Sequence, residues 1–336
     1  MFFVTFHQTI SNVYAYDDDG NLLNPQSPNV LNKDGDELRG LYLETNTGYL
    51  YVVEGGKKAS KVHCYQGADT NYKQLSDFIS PKHDNAIDHP FALAFDGQGN
   101  CYVSNQDTNV VVALSISNDG RKGAPEAVAA YLTALYPKGT FLPGTLVASA
   151  QSDLPNAPQT KGVQAVKKEL GGLAVELNTK KDKVQNSVRD VAFYNLDYNG
   201  AILPLLFVVD EAAGLVRLYD PRTGQLLRSS NPLTAPVHLL IADDTIYVGA
   251  GDQVLSSPVP NPYDPNAPVW VFTPLALSPA PTGAVSSVAF DSKGNFHVAV
   301  RTKNLVIKYD AKFNNGVNWV STPMPDNPEF LLYVTG

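Results

Sequence analysis

Phe91-Ala92-Leu93-Ala94-Phe95-Asp96-Gly97-Gln98-Gly99-Asn100-Cys101-Tyr102-Val103 reads as a complete β-hairpin. Two apolar runs flank a cluster of Asp, Gly and Asn, the residues that tolerate the positive φ of tight hairpin turns. The same order returns at Val285–Phe290, Asp291-Ser292-Lys293-Gly294-Asn295 and Phe296-His297-Val298. A third apolar run follows each copy, at 110–114 and at 306–310. Weaker copies pair 38–43 with 50–53, 188–193 with 206–209, and 237–241 with 245–248.

Equivalent first-strand positions are Leu41, Leu93, Val191, Leu240, Val288 and Leu332, spaced by 52, 98, 49, 48 and 44 residues. A period near 48 is one four-stranded propeller blade. The chain opens on a second strand, Phe2–Phe6, continues to a third, Val13-Tyr14-Ala15-Tyr16-Asp17, and finishes with a lone first strand at 330–334. A C-terminal strand that completes the N-terminal blade would close the ring and remove two open sheet edges. The expectation is an all-β, six-bladed propeller of four-stranded antiparallel blades, one domain over residues 1–336.

The spacing of 98 is twice 49, so a seventh blade built on 141–150 is the alternative. That stretch lacks the Asp/Gly turn followed by Tyr-Val and carries Leu154-Pro155-Asn156-Ala157-Pro158 and Lys180-Lys181-Asp182-Lys183. It reads as a long insertion at about 137–187, between blades 3 and 4. The state of 124–136, which is alanine-rich yet falls where a fourth strand belongs, stays open.

Composition agrees with this reading. The 336 residues include 25 Gly and 24 Pro, 10% aromatics, and only 17% charged residues, below the usual ~25%. A formal net charge of −8 disfavours nonspecific association with nucleic acid or anionic membrane. No apolar run reaches the roughly 18 residues of a membrane span. The N-terminal Met1-Phe2-Phe3-Val4-Thr5-Phe6 lacks a basic region and meets His7 and Gln8 at once, so it does not read as a signal peptide. A soluble, cytoplasmic monomer is the expectation, or a secreted or periplasmic protein if a leader has been removed. The two cysteines, Cys64 and Cys101, sit in apolar runs and read as buried thiols.

The repeats resemble those of the NHL family: His89-Pro90-Phe91-Ala92-Leu93-Ala94-Phe95-Asp96, then Gly99-Asn100-Cys101-Tyr102-Val103-Ser104, and again Val288-Ala289-Phe290-Asp291, Gly294-Asn295 and Lys308-Tyr309-Asp310. The resemblance implies a propeller. It leaves function open among lactonases, virginiamycin-type lyases, a peptide-amidating lyase and non-catalytic scaffolds, because fold does not fix function. Propellers similar to gluconolactonases hold a divalent metal with Glu, Asn and Asp at the starts of first strands. The matching positions here are Arg39, Phe91, Arg189, His238, Ser286 and Phe330. Two arginines and two phenylalanines are poor ligands for a hard cation, so neither metal nor cofactor is expected.

First strands line a propeller's channel and begin at one face, where second strands end. Arg39, Phe91, Arg189, His238, Ser286 and Phe330 should therefore ring one channel mouth, with Glu54, Asn105, Asp210, Arg301 and His7 just outside it. Converging arginines suit a planar anion. His238 could serve as a general base or acid, with Asp210 or Glu54 orienting it. Phe91 and Phe330 could pack on the ligand body. The expected function is binding of a small anionic molecule at this mouth, as a lyase or hydrolase without a metal. The alternative is a protein-interaction scaffold whose mouth is plugged by mutually paired side chains, Arg39 with Glu54 and Arg189 with Asp210, with His238 a structural residue.

Overall fold

The computed structural model describes residues 1–335 except 7, 11, 24–36, 46, 57–59, 68–71, 80–86, 88, 98, 107–109, 116–187, 222–225, 265–267 and 321–322. These residues form an all-β propeller. Its six antiparallel sheets follow one another along the chain. The first joins β1 (Phe2–Phe6) and β2 (Val13–Tyr16) to the C-terminal strand. The second is β3 (Leu38–Glu44), β4 (Tyr49–Glu54), β5 (Lys61–Tyr65) and β6 (Gln74–Ile79), and the third β7 (Pro90–Phe95), β8 (Asn100–Asn105) and β9 (Val110–Ser115). The fourth is β10 (Val188–Tyr198), β11 (Ala201–Asp210), β12 (Leu215–Tyr219) and β13 (Leu226–Ser229). The fifth comprises β14 (Pro236–Ala242), β15 (Thr245–Ala250), β16 (Gln253–Pro258) and β17 (Thr273–Pro274). The sixth comprises β18 (Val285–Phe290), β19 (Phe296–Val300), β20 (Leu305–Tyr309) and β21 (Val317–Asn318), and β22 (Pro328–Tyr333) closes the first sheet.

That closure is antiparallel, with Phe2 opposite Tyr333 and Thr5 opposite Phe330. Inner strands touch in the cyclic order β22, β3, β7, β10, β14, β18 and back to β22. Aromatic residues of neighbouring sheets fill the wedges between them, as where Phe2 packs edge to face on Trp319 and Tyr333 and tilted on His297. Inner strands approach closely at Gly40, where a Cβ would stand 2.9 Å from both the Ala92 Cα and the Phe91 carbonyl oxygen.

The Asp/Asn turns act as side-chain locks. Asp96 accepts from the Asn100 backbone N–H at 3.0 Å, and Asp291 takes the Lys293 and Asn295 N–H groups at 2.9 Å each. Both cysteines are buried and free, and burial pushes the Cys64 thiol up to about 12. The proposed insertion at 137–187, the seventh-blade alternative built on 141–150, and 124–136 all lie outside the described residues.

One irregularity repeats in every sheet. Register shifts by one residue between Leu38 and Leu41, Pro90 and Leu93, Val188 and Val191, Pro236 and His238, Val285 and Ser287, and Pro328 and Phe330. This is a β-bulge at the start of each inner strand. Beyond it Leu41, Leu93, Val191, Leu239, Val288 and Leu331 each face a second-strand valine: Val52, Val103, Val208, Val248, Val298 and Val4. The equivalences from sequence spacing are therefore one residue late in two sheets. Leu239, not Leu240, and Leu331, not Leu332, match Leu41.

Candidate functional site

The bulge decides which side chains face the channel mouth. Counting from the first residue of each inner strand, the next position holds Arg39, Phe91, Arg189, Val237, Ser286 and Glu329. Five of these, all but Arg39, line one pocket of ≈ 140 Å³ together with Glu211 and Arg301. His238 and Phe330, expected in the ring, occupy the following position and belong one layer deeper. Every inner strand carries the same bulge, so the slip comes from aligning Leu240 and Leu332 in place of Leu239 and Leu331, and a one-residue slip turns a side chain onto the other face.

The mouth is an alternating network of charge. Arg39 Nη1 donates to Glu329 Oε1 at 2.8 Å, and Nη2 to Glu37 Oε2 at 3.1 Å. Arg301 Nε lies 3.4 Å from Glu329 Oε2, so one carboxylate bridges two arginines. Arg189 Nε donates to Glu211 at 2.6 Å, and its Nη1 meets the Gln106 side-chain oxygen. Phe91 meets both guanidiniums, the buried one of Arg39 at 5.6 Å and the half-buried one of Arg189 at 5.1 Å, within cation–π range. Burial, with the Arg39 charge adding to it, holds the Arg189 pKa below its ordinary value.

Glu37 and His89 enter this network through the backbone. Each immediately precedes an inner strand in the left-handed region, with φ of 56° and 52°, as does Ala235 at 44°. Their carbonyls accept from the chain just past the second strand: Gly55 N to Glu37 O at 2.9 Å, Gln106 N to His89 O at 2.9 Å and Gly251 N to Ala235 O at 3.3 Å. The turn brings His89 Nε2 to 3.2 Å from Glu37 Oε2 and 3.4 Å from Arg39 Nη2.

The other expected residues separate from this centre: Arg39 meets Glu329 and Glu37 rather than Glu54, and Arg189 meets Glu211 rather than Asp210, because these carboxylates and not the second-strand ends reach the mouth. Glu54 stands opposite Leu38 and holds His63 Nε2 at 2.7 Å and Lys61 Nζ at 3.6 Å. Burial opposes the charged imidazole, but the bonds and charges of Asp77 and Glu54 outweigh it and raise the His63 pKa. Asp210 accepts from Arg217 Nη2 at 3.2 Å and from the Ala213 N–H at 2.9 Å. Asn105 Nδ2 reaches the Val103 carbonyl, and Ser286 Oγ donates to Pro328 O at 2.7 Å. His7 lies outside the described residues.

The carboxylate that meets His238 is Asp190. Its Oδ2 lies 2.7 Å from His238 Nδ1 and also accepts the Leu239 N–H at 2.9 Å. His238 Nε2 reaches the Val288 carbonyl at 3.2 Å, and Phe330 packs edge-on at 4.7 Å. Ser287 Oγ accepts the Leu331 N–H in the same fashion. Asp190, His238 and Ser287 thus each bond the next inner strand one residue on, forming a stitch around the channel. The expected pairing of His238 with Asp210 or Glu54 gives way to this one because the deeper layer of β14 faces that of β10.

A divalent metal of the lactonase kind needs several converging oxygen ligands. The corrected ring offers one carboxylate, Glu329, already shared by Arg39 and Arg301. Among the described residues no group of three His, Cys, Asp or Glu side chains converges to hold an ion. The side chains present do not fit that metal.

No family model matches the chain, and no curated protein matches it. Solved structures are similar in fold. A chain of a nidogen/laminin complex aligns over 98% of this chain and 97% of its own, with a TM-score of 0.56 at 10% identity. A Bacteroides caccae protein of unknown function aligns over 98% and 97%, at 0.57 and 11%. The periplasmic gluconolactonase PpgL of Pseudomonas aeruginosa aligns over 91% of this chain and 77% of its own, at 0.50 and 16%. These likenesses place the chain among the β-propellers and carry no more than the fold.

Proposed function

We propose that the chain is a single-domain, six-bladed propeller of NHL-like repeats that binds a small carboxylate-bearing molecule at the charged channel mouth. Direct contact between β7 and β10 supports six blades, since those inner strands flank the long segment that a seventh would have to occupy. The carrying observation for function is the ≈ 140 Å³ pocket in which Arg189 and Arg301 stand beside Glu211 and Glu329. With both signs present, a ligand that presents a carboxylate to the arginines and hydroxyl or amino donors to the glutamates fits better than a bare anion. His238 lies a layer below the pocket with a backbone partner, so the reading is binding rather than His238-driven catalysis.

The test is a thermal-shift screen of short hydroxycarboxylates, amino acids and their lactones, because a ligand that binds only the folded chain raises its melting temperature. At least one carboxylate should shift wild type and lose about tenfold in affinity in Arg301→Gln, where one charge-assisted bond worth ~1.5–3 kcal/mol is removed. The shift should survive a metal chelator. No shift across the panel refutes the reading, and turnover of a lactone would favour the hydrolase that the gluconolactonase likenesses suggest. The nidogen/laminin likeness and the exposed Val269, Val271 and Val317 favour a second reading, a protein-binding scaffold. Under it the small-molecule panel leaves the melting temperature unmoved.

A further inference from the structure

Below the stitching layer the channel changes character. A cavity of ≈ 370 Å³ opens there, lined by Tyr42, Phe95, Phe193, Phe290, Phe330 and Tyr333 together with aliphatic residues of all six inner strands. Leu41, Leu93, Val191, Leu239 and Val288 at its inner end are buried, whereas Tyr42, Phe193, Ile241, Phe290 and Leu332 are half-buried. The cavity therefore opens on the face opposite the charged mouth. Its lining contains no Lys, Arg or Glu.

At the inner end stand Asp190 and His238, both nearly fully buried. The Val288 carbonyl engages Nε2 of His238, while Nδ1 has no partner in line for a hydrogen bond. The Asp190 oxygen 2.7 Å away is close enough for an ion pair but off that line. This close buried pair is the polar spot at the inner end of an otherwise apolar lining, where a ligand atom can be fixed. The size falls within the ~300–1,000 Å³ of ordinary small-molecule sites, which are apolar with a few placed polar groups.

We propose that this half of the channel binds one uncharged, ring-bearing apolar molecule per chain, its rings among the aromatic residues and one polar atom directed at His238 and Asp190. A cation or carboxylate on the ring body would be desolvated without a matching partner in the walls, so neutrality is part of the specificity. The site is separate from the mouth, divided from it by the stitch of Asp190, His238 and Ser287, and does not rest on the carboxylate reading.

The probe is N-phenyl-1-naphthylamine, whose fluorescence rises in apolar surroundings. Wild type should bind it saturably at one per chain, and more tightly than 1-anilinonaphthalene-8-sulfonate, which has the same rings plus a charge. Ala242→Trp, at the cavity's outer end, and Ala192→Trp, on its β10 wall, should each weaken binding about tenfold or more by filling the void, with the melting temperature of Ala242→Trp unchanged. On wild type, nuclear Overhauser contacts from the probe to the methyls of Leu240 and Leu332 locate it without any substitution. Unsaturable or multiple binding, equal affinity for the sulfonate, indifference to both tryptophans, or contacts to neither leucine would each overturn the proposal.

Discussion

Replacing Glu329 with Gln tests whether the mouth is held by buried charge. The substitution keeps shape and removes one negative charge from a site where the Glu329 side chain is 3% exposed and that of Arg39 is 7%. Breaking a buried pair on one side costs ~3–5 kcal/mol, because the remaining ion stays desolvated. Arg39 would retain Glu37 at 3.1 Å, but that carboxylate is one-third exposed and screened by solvent. The expected loss is therefore at the low end, about 3 kcal/mol. Urea unfolding followed by the fluorescence of Trp270 and Trp319, both outside the mouth, reads it. The loss should persist at high salt, since buried pairs are little screened. Replacing both ions, Arg39→Met with Glu329→Leu, should recover most of it, because apolar isosteres of a buried pair are often neutral. A loss below ~1 kcal/mol in the single variant, or a cost in the double that equals the sum of the singles, would refute the coupling.

Two histidines set opposite pH dependences. Burial between Phe2 and Trp319 lowers His297 to about 4 against an ordinary 6.5. The unfolded chain then binds the extra proton between those values, so stability rises with pH across that window by roughly 3 kcal/mol. His297→Leu should flatten the urea midpoint between pH 4 and 6.5, and an unchanged slope would count against it. His63 is raised by Asp77 and Glu54, so its stabilisation is complete below pH 6.5 and lost as pH climbs through its folded value. His63→Gln should destabilise at pH 6 more than at pH 9, and equal effects would show that the pair does not couple to folding. At Gly40, an added Cβ 2.9 Å from two backbone atoms of β7 must separate two inner strands, so Gly40→Ala should cost ~1–3 kcal/mol in the same denaturation assay.

How much was legible in advance can be followed residue by residue. Arg39, Phe91, Arg189 and Ser286 were placed at the mouth because their strands keep the repeat grammar on both sides of the bulge. Val237 and Glu329 were missed for their neighbours His238 and Phe330, since Leu240 and Leu332 are apolar enough to pass for the aligned position. The signal that would have found them is the second-strand valine, which each inner strand meets at a fixed distance past its bulge. Glu37 and His89 give no such signal, because their positions come from a left-handed turn that these residue types do not favour strongly.

By itself, then, the sequence determined the β class, the hairpin repeat and the strand that closes the ring, since alternation, turn chemistry and chain order are local properties. Only the tertiary structure decided which carboxylate neutralises which arginine. Arg39 meets Glu329 across 290 residues, and no local pattern fixes a partner that a bulge and ring closure bring into reach. The division of the channel into a charged mouth, a hydrogen-bonded stitch and an apolar cavity likewise exists only once six inner strands stand side by side, because each contributes a single side chain per layer.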